Sequence, residues 1–459
     1  MKKIKIGFLP LYIQLYDDCK LELRERLTAF YESIAKNFEE DGFDVVRTPI
    51  LTLKDQFEKA IKGYEDAGCD CIVTWHAAYS PSLESSDALA KTALPIVVLD
   101  TTDTYEFSSP DDINFCHGIH GVMDMTNLLK RNGKKYAIAA GFYPGSDVVA
   151  RAEGYVRAAV AATSLKGTKT GTIGGSFEGM GDFLVSNEEL EASFGASIVV
   201  SAKEELDALR ASLSEDEIKA EMEKDLARFV LPQPLDPASH RRTVADCLAV
   251  RHWIEKHGLS AFTVNFTKIG PDYGMNIMPF MEACKEMEAG IGYAGEGDVL
   301  TATVTGALIR GFETASFVEI FCPDWKNDLI LISHMGEYNL ALTAKPSEMQ
   351  EIDFVFGHAE NPVVTYGLYK PGDAVFVNVY RDDKGFRMLL SPVTMVNKET
   401  DEFAGTVRGW IKPPVPVGEF LEKISTAGVT HHSSLVYGAS VEALEHFGKM
   451  LDLPVTIVK

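Results

Sequence analysis

The sequence has few basic residues for its number of acidic ones, and this imbalance limits the partners it can bind. Its 459 residues include 44 lysines and arginines against 67 aspartates and glutamates, which gives a formal net charge of −23. A phosphate backbone requires a basic protein face, and an anionic membrane surface would repel this chain. We therefore expect no nucleic-acid partner and no membrane partner, but a small neutral substrate or a bound cation.

Long apolar runs and paired cysteine motifs are also missing. No segment reaches the roughly 20 consecutive apolar residues of a membrane-spanning helix. The apolar residues near the N-terminus alternate, which predicts a first strand rather than a signal peptide. The seven cysteines form no recognisable framework, so we expect reduced thiols and a cytoplasmic location.

The common cofactor and nucleophile motifs are absent as well. The sequence has no P-loop, no G-x-S-x-G elbow and no zinc-type cysteine pairs. Residues 290–295 match G-x-G-x-x-G, but they follow a helical segment instead of a strand. This context excludes dinucleotide binding at these glycines.

Apolar strands and helical segments alternate through the first part of the chain. The strand-like runs are Ile4–Leu9, Phe43–Thr48, Cys71–Trp75, Ile96–Leu99 and Tyr136–Ala140. This βαβ alternation predicts a parallel sheet covered by helices on both faces. The middle part is again mixed, and it has two capping-box patterns, Ser201 with Glu204 and Ser214 with Glu217.

From about residue 329 the pattern changes to short strands separated by turns, including a run at Ile352–Phe356, and helix signals largely vanish until a short helix near Val441–Met450. The predicted fold class is α/β: two Rossmann-like parallel-sheet domains, then an antiparallel, barrel-like β-rich domain. We assign the domains to residues 1–165, 166–325 and 326–459; the candidate glutamates described next fall in the second domain, and the candidate histidines in the third.

Two glutamates and three histidines occupy surroundings that are unusual for their residue types. Glu296 lies among glycines that allow close backbone approach to a ligand, and Glu319 lies in an apolar run. His334 interrupts a strand-like run, and His431 and His432 form a pair in a loop near the C-terminus. Each could be an ordinary paired core residue. Together, two carboxylates and two imidazoles suit an octahedral site for Mn²⁺ or a similar cation, with two positions left for substrate oxygens.

These residues resemble the L-arabinose isomerase family, within the wider L-fucose/L-arabinose isomerase superfamily. The resemblance lies in four segments in the same order: GEGDVLTA with Glu296, SFVEIF with Glu319, ISHM with His334, and THHSSLVYG with His432. It implies a metal site formed by these four residues, with Glu296 and Glu319 as the catalytic acid/base pair and with Mn²⁺, or Co²⁺ or Mg²⁺, as the cation. The family pattern favours His432 over His431 as the ligand, although the sequence alone allows either.

A looser resemblance in the N-terminal part implies substrate contacts. Residues implied to bind the sugar are Gln14, Tyr16, His76, His117, His120 and His431. In the family, such N-terminal groups reach the active site of a neighbouring subunit, so a homo-oligomer (a trimer or hexamer) is implied. His117 stands where the family has a glutamine, and Ile320 and Phe321 replace an acidic residue and a tyrosine. The resemblance to the family is therefore stronger at the metal site than at the sugar pocket.

The function implied is a Mn²⁺-dependent aldose–ketose isomerase that acts on a pentose or related sugar through an enediolate. Two alternatives remain: a fucose-isomerase-like enzyme with another sugar, and a non-catalytic sugar-binding or sensor protein. A metal hydrolase would use the same ligand types, but nothing in the sequence indicates its substrate.

Overall fold

The computed structural model describes residues 3–19, 22–398, 401 and 403–459, which divide into two compact units. The N-terminal unit comprises the described residues up to Thr163, and the C-terminal unit begins at Ser164. The predicted fold class is confirmed: two parallel α/β sheets precede an antiparallel barrel. The three domain boundaries drawn from the sequence remain a prediction.

Five strands form the parallel sheet of the N-terminal unit. They are β1 (Lys5–Leu11), β2 (Asp44–Arg47), β3 (Cys71–His76), β4 (Ile96–Asp100) and β5 (Tyr136–Ala140), in the order β2-β1-β3-β4-β5. Strand β3 is buried along its whole length, as its continuous apolar sequence predicts for a strand covered on both faces.

Helices on both faces of this sheet complete two separate hydrophobic cores. The helices are α1 (Gln14–Cys19), α2 (Leu23–Glu40), α3 (Lys54–Asp66), α4 (Ser82–Lys91), α5 (Ile113–Cys116), α6 (Gly118–Arg131) and α7 (Val148–Thr163). One core takes Ile34 of α2 and Val156 of α7. The other takes Phe57 of α3, Leu89 of α4 and Met125 of α6. In such a doubly wound sheet, ligands gather beyond the carboxyl ends of the strands.

The C-terminal unit begins with a four-stranded parallel sheet. Its strands are β6 (Lys169–Ile173), β7 (Ser197–Val200), β8 (Ala261–Val264) and β9 (Gly292–Gly295), in the order β7-β6-β8-β9. Its helices are α8 (Asn187–Phe194), α9 (Lys203–Ser212), α10 (Glu215–Arg228), α11 (Pro237–His257), α12 (Phe280–Ala289) and α13 (Val299–Phe312).

The second part of this unit is a closed antiparallel barrel of six strands. The remaining strands are β10 (Ala315–Asp324), β11 (Leu329–Ser333), β12 (Glu348–Glu351), β13 (Val363–Tyr366), β14 (Gly372–Asp382), β15 (Gly385–Val396), β16 (Gly409–Lys412), β17 (His432–Tyr437) and β18 (Val455–Ile457). The barrel order is β14-β17-β10-β11-β16-β15, and pairing of β14 with β15 closes it. Strand β18 joins β15 in parallel, and β12 pairs with β13 outside the barrel. Two helices, α14 (Val417–Ala427) and α15 (Val441–Met450), complete the unit.

Helix α13 connects the four-stranded sheet to the barrel. Its sequence VLTATVTGALIRGF is apolar or small on every side, and almost all of its residues are buried, as expected for a helix enclosed between two layers. Thr303 hydrogen-bonds Thr170 of β6 at 2.6 Å, and Thr305 hydrogen-bonds Ser434 of β17 at 2.7 Å. The end of β9 is therefore held beside the barrel strands.

Three local predictions are wrong. Ser201 does not cap a helix: α9 starts after Ala202, and the Ser201 N–H instead donates to the carbonyl of Thr172. Ile352–Phe356 is not a strand, because the pairing strand ends at Glu351. Helix signals do not vanish after residue 329, since α14 lies there. The other capping prediction is confirmed at its N-cap, where the Ser214 side chain accepts from the N–H of Glu217.

Within the part of the chain that the structure describes, no helix is long and apolar enough to cross a membrane.

Candidate metal centre

Glu296 occupies a strained turn directly after β9. Its φ is 64°, a left-handed conformation that is uncommon for a residue with a side chain. The Thr263 hydroxyl donates to the carbonyl of Ala294 at 2.7 Å and accepts from the N–H of Gly297 at 3.0 Å. The Glu296 carbonyl accepts from the N–H of Phe177 at 2.8 Å. These bonds hold the turn in the conformation that directs the Glu296 side chain.

The barrel register brings Glu319, His334 and His432 together. On β10, Glu319 lies opposite His432 of β17 on one side and opposite Ser333 of β11 on the other. His334 follows Ser333 directly, and its Nε2 lies 3.9 Å from Glu319 Oε2. His432 Nε2 lies 3.7 Å from Glu296 Oε2. The four residues that the sequence predicts as metal ligands therefore lie close together in the structure.

A buried carboxylate stands behind each of these two imidazoles. Glu337 Oε2 lies 2.6 Å from His334 Nδ1, and Glu337 also accepts from the Tyr293 hydroxyl at 2.9 Å. Asp298 Oδ2 lies 3.0 Å from His432 Nδ1, while its Oδ1 caps α13 by accepting from the N–H of Thr301 at 2.8 Å. A carboxylate at Nδ1 favours the tautomer with its proton there, which leaves the Nε2 lone pair free for a ligand.

Aromatic rings and a glycine fix the positions of the imidazoles. The Phe317 ring lies edge-on to both histidines, at centroid distances of 4.9 Å to His334 and 5.0 Å to His432. Phe183 stacks on His432 at 5.4 Å. At Gly295, a Cβ atom would lie 2.7 Å from Cε1 of His334, so only glycine allows this close approach of strand and ring.

His431 also faces this site. Its Nε2 lies 3.3 Å from Glu296 Oε2, and its Nδ1 lies 2.7 Å from Asp182 Oδ2. Ligand atoms of Glu296, His431 and His432 all lie within 4.8 Å of one another. Both members of the histidine pair are therefore within reach of a shared ion.

The electrostatic environment separates the two glutamates. Burial raises the pKa of Glu319 above its ordinary value, although the neighbouring histidines oppose this. Burial also acts to raise the pKa of Glu296, but the hydrogen bond from His431 and the charges of His432 and His334 together lower it. Without a cation, Glu319 holds a proton to higher pH than Glu296, a difference suited to an acid/base pair.

The donor set fits a divalent cation. His432 Nε2 is buried and has no hydrogen-bond partner among the described residues, which is costly unless the atom binds something. Carboxylate oxygens and neutral imidazoles suit ions of the Mn²⁺ type. The residues that could hold the ion are Glu296, Glu319, His334 and His432, with His431 adjacent.

In the N-terminal unit, three of the predicted sugar-binding residues form one group. The Tyr16 hydroxyl lies 2.9 Å from His117 Nε2, and the ring centroids of His117 and His120 are 5.9 Å apart. Burial lowers the pKa of His117 and raises that of Tyr16. Gln14 lies nearby in sequence at the start of α1, where its side-chain oxygen accepts from Thr52 at 2.7 Å.

His76 is placed differently, at the buried end of β3. Neither ring nitrogen has a hydrogen-bond partner among the described residues, and burial lowers the pKa of His76 to about 3. Helix α6 covers it closely: a Cβ at Gly121 would lie 2.3 Å from Cδ2 of the ring. In this conformation the side chain is closed off by α6, and its role in sugar binding remains a prediction.

Sequence reasoning missed the three carboxylates behind the histidines. Asp298 lies in the GEGD segment, and Glu337 lies three residues after His334. No sequence pattern at either residue indicates that it contacts an imidazole. Asp182 lies about 250 positions before its partner His431, so only the fold could reveal that pair.

Comparison with known proteins identifies the family of the chain. The profile of the L-arabinose isomerase central domain matches residues 186–311, and that of the L-arabinose isomerase C-terminal domain matches residues 314–454. An L-arabinose isomerase of Halalkalibacterium halodurans is 23% identical, with 96% of this chain and 91% of the relative covered. L-arabinose isomerase 2 of Clostridium acetobutylicum is 22% identical, with 100% and 96% covered. An L-arabinose isomerase of Bifidobacterium adolescentis is 24% identical, with 84% and 79% covered.

The class of protein follows from these relatives together with the carboxylate–imidazole site: an aldose–ketose sugar isomerase. The two matched domains span more than half of the sequence, and the relatives extend the similarity to the N-terminal unit. The chain belongs to the L-arabinose isomerase family.

Proposed function

We propose that this protein is a Mn²⁺-dependent isomerase that interconverts an aldose and a ketose of the pentose or a related class, with L-arabinose as the first candidate. One observation carries the proposal: two carboxylates and two imidazole Nε2 atoms converge, and each imidazole is backed by a buried carboxylate. The names of the relatives supply the candidate substrate.

A bound divalent cation would supply Lewis-acid polarisation of the carbonyl and would stabilise the negative charge of the enediolate. One of Glu296 and Glu319 would take the proton from C2 of the open-chain aldose and return it to C1, while the other would give a proton to O1 and take one from O2, so that both carboxyl groups regain their starting protonation states. His334 and His432 would complete the ligand set.

The chain exposes apolar side chains close to the predicted sugar-binding histidines. Ile119 and Met123 lie one turn apart on α6, next to His120, and are 42% and 64% exposed. Ile113 on α5 is 56% exposed. A group of exposed apolar side chains can serve as a contact surface for another chain. We propose that a second copy of the chain covers them in a trimer or hexamer, with active sites at the subunit interfaces, and that the enzyme works in the cytoplasm with reduced thiols.

The test is a panel of aldoses and ketoses incubated with metal-stripped and with Mn²⁺-reconstituted protein, in H₂O and in D₂O. We expect one aldose–ketose pair to interconvert only with metal, and the product formed in D₂O to carry deuterium at the carbon that receives the proton. Deuterium at that carbon would exclude a hydride shift, because a hydride shift does not exchange with solvent. Conversion of L-fucose but not L-arabinose would select the fucose-type alternative, and stoichiometric sugar binding without conversion would select a binding protein.

The oligomer has a separate test. Light scattering after size exclusion should give a mass of three or six chains, and Met123→Lys should lower it. A monomer that retains full activity would contradict the shared active site.

A further inference from the structure

A cavity of about 610 Å³, the β2 cavity, lies in the N-terminal unit. It is bounded by the carboxyl end of β2, by residues 48–52 and by one face of α3, and ligands of doubly wound sheets lie at this edge of the sheet. The predicted sugar-binding histidines lie on the other side of β1: Gly118, next to His117, packs against His76 at the end of β3, and the sheet order is β2-β1-β3. Among the described residues, Gln14 is the one predicted sugar contact that also lines the cavity.

Apolar atoms form most of the wall of the β2 cavity. They come from β2, from residues 48–52 and from α3, and the side chains are Val46, Ile50, Leu51, Ala60 and Tyr64. Cavities of about 300–1,000 Å³ with mainly apolar walls and few polar groups are typical of small-molecule sites. The volume and the wall of the β2 cavity therefore suit an organic molecule better than an ion.

Helix α3 contributes a glycine that neither its backbone nor its neighbours require. Gly63 lies within α3 and has no left-handed φ, and a Cβ atom added to it would meet no other part of the chain within 4 Å. Glycine inside a helix costs stability relative to alanine. Gly63 lies seven residues after Gln56 and four after Lys59, on the face of α3 that lines the cavity. The missing side chain leaves room there for a ligand.

The charged side chains of the β2 cavity are mainly cationic, in a chain whose net charge is −23. Three cations and one carboxylate line it: Arg24, Arg47, Lys59 and Asp17. Asp17 accepts from Arg24 at 2.8 Å. Arg47 pairs with Glu39 at 2.6 Å and with Glu32 at 3.2 Å. Lys59 has no ion-pair or hydrogen-bond partner among the described residues, so the cavity offers one uncompensated positive charge.

Gln56 adds a donor whose direction is fixed. Its Oε1 accepts from the backbone N–H of Thr52 at 2.9 Å and from that of Leu53 at 3.3 Å. Its NH₂ group therefore faces away from this backbone, and it has no partner among the described residues. Gln56 and Lys59 are three residues apart in α3, which places both side chains on one face. An ammonium group and an amide NH₂ group side by side suit a carboxylate.

We propose that the β2 cavity binds a small carboxylate with an apolar body. The body lies between residues 48–52 and the space beside Gly63. The carboxylate pairs with Lys59 and accepts from the NH₂ group of Gln56. The site shares no residue with the candidate metal centre, so binding of this ligand does not depend on a bound cation.

A chain of hydrogen bonds connects the cavity to the predicted sugar contacts. Thr52 donates its N–H to Gln56 Oε1 at 2.9 Å and its hydroxyl to Gln14 Oε1 at 2.7 Å. Gln14 begins α1, which also carries Tyr16. A bound carboxylate that holds Gln56 should therefore change the KM for the sugar. This consequence rests on the proposed function, whereas binding of the carboxylate does not.

The experiment uses the full-length protein and two probes, para-fluorobenzoate and its neutral analogue para-fluorobenzyl alcohol, and follows binding by broadening of the ¹⁹F resonance. We expect the acid to bind more tightly than the alcohol. Gly63→Phe and Gly63→Leu should abolish binding of both probes, because the new side chain occupies the cavity. Neither variant should lower the urea midpoint, since the added Cβ meets no other part of the chain.

The charge has its own variant and a matched control. Lys59→Gln should weaken binding of the acid about two- to fivefold, as for an exposed ion pair, and leave the alcohol unaffected. Lys62→Gln is the control, because Lys62 lies on the same helix, pairs with Asp66 and does not line the cavity. This variant should bind both probes like the unaltered protein.

Three results would overturn the inference. They are equal binding of acid and alcohol, unchanged acid binding in Gly63→Phe, and a lower oligomer mass of Gly63→Phe by light scattering, which would show that a second copy covers the cavity. For the coupling to Gln14, saturating para-fluorobenzoate should change the KM of the unaltered enzyme but not that of Gly63→Phe, and an unchanged KM would refute the coupling. Probe binding by a protein that converts no sugar would contradict the proposed function and support this site.

Discussion

The two carboxylate oxygens of Asp298 have different partners, the start of helix α13 and the ring of His432. Substitution of Asp298 should show how much each contact contributes to folding and to metal binding. Oδ1 caps α13 through the Thr301 N–H, and Oδ2 fixes the Nδ1 proton of His432. In Asp298→Asn, one of these positions becomes an NH₂ group that can only donate. If the amide oxygen caps the helix, the NH₂ group faces His432 Nδ1 and favours the tautomer that blocks its Nε2. If the amide is reversed, the NH₂ group faces the Thr301 N–H and the cap is lost.

The magnitudes distinguish these cases. Loss of an N-cap side chain costs about 0.5–2 kcal/mol, whereas asparagine caps a helix about as well as aspartate. Loss of the carboxylate behind a metal-bound histidine lowers affinity by about 10- to 100-fold, or roughly 1.4–2.7 kcal/mol. In the metal-free protein, we expect the amide oxygen of Asp298→Asn to keep the cap of α13, so that the free energy of unfolding is unchanged. The NH₂ group then faces His432 Nδ1 and favours the tautomer with a proton on Nε2, which cannot bind an ion. We therefore expect this variant to lose Mn²⁺ affinity. Asp298→Ala should lose both the cap and the affinity.

The assay combines urea unfolding of the metal-free protein with Mn²⁺ binding by equilibrium dialysis. Ser440→Ala is the control, because Ser440 caps α15 through the Ala443 N–H and has no contact with the imidazoles. It should lower the urea midpoint without changing Mn²⁺ affinity. If Asp298→Asn binds Mn²⁺ as tightly as the unaltered protein while its unfolding is unchanged, one amide has satisfied both partners and the reasoning is refuted.

Three further predictions follow from the structure. Glu337→Gln should weaken Mn²⁺ binding about 10- to 100-fold through His334, as measured by dialysis; unchanged affinity would contradict a role of the Glu337 carboxylate in orienting the ring. Glu319→Gln should reduce kcat by about 10²- to 10⁴-fold and leave the oligomer folded, and near-normal turnover would exclude it as an acid or base. Burial and the charge of Asp41 raise the pKa of Glu153 from 4.5 to about 8, against the opposing charge of Arg157. The contribution of protonated Glu153 to the free energy of unfolding is fully present below pH 4.5 and is lost as the pH rises through about 8. The urea midpoint of Glu153→Gln minus that of the unaltered protein should therefore increase between pH 5 and pH 9. A difference that stays constant over this range would contradict the prediction.

Much of the fold was readable because apolar runs and their spacing decide which elements form. The five strands of the N-terminal unit were predicted from such runs, and all five are present. The run at Ile352–Phe356 misled because only one of its side chains needs burial: Phe354 is buried and packs edge-on to Phe280 and to Phe356, whereas Val355 and Phe356 are exposed. Burial of an apolar segment does not require a strand ladder.

Helix α14 was missed although its signals were present. Val417, Phe420 and Ile424 recur at helical spacing between Pro416 and Gly428, and all three are buried. Ser201 shows the opposite error, because its capping pattern was outweighed by a backbone bond that continues the sheet.

At the site, residue types in unusual surroundings were sufficient to find Glu296, Glu319, His334 and the histidine pair. Their mutual arrangement could not be predicted from the residue types, because the strand register that places Glu319 opposite His432 depends on closure of the barrel. The supporting carboxylates were invisible for a related reason. An aspartate or glutamate becomes a histidine partner only through tertiary structure, and most such residues in a sequence are solvent-exposed.

The position of β17 has a consequence for how the protein is made. This strand inserts between β14 and β10, yet it is synthesised after both of them. Until it emerges, β10 and β14 each present an unpaired edge, and the site has neither histidine of the pair. Exposed edges of this kind recruit other chains, so synthesis that stalls between β14 and β17 should yield aggregation-prone chains that cannot capture an ion. Completion of the barrel and completion of the site therefore coincide during biosynthesis, at a point when the N-terminal sheet can already be folded.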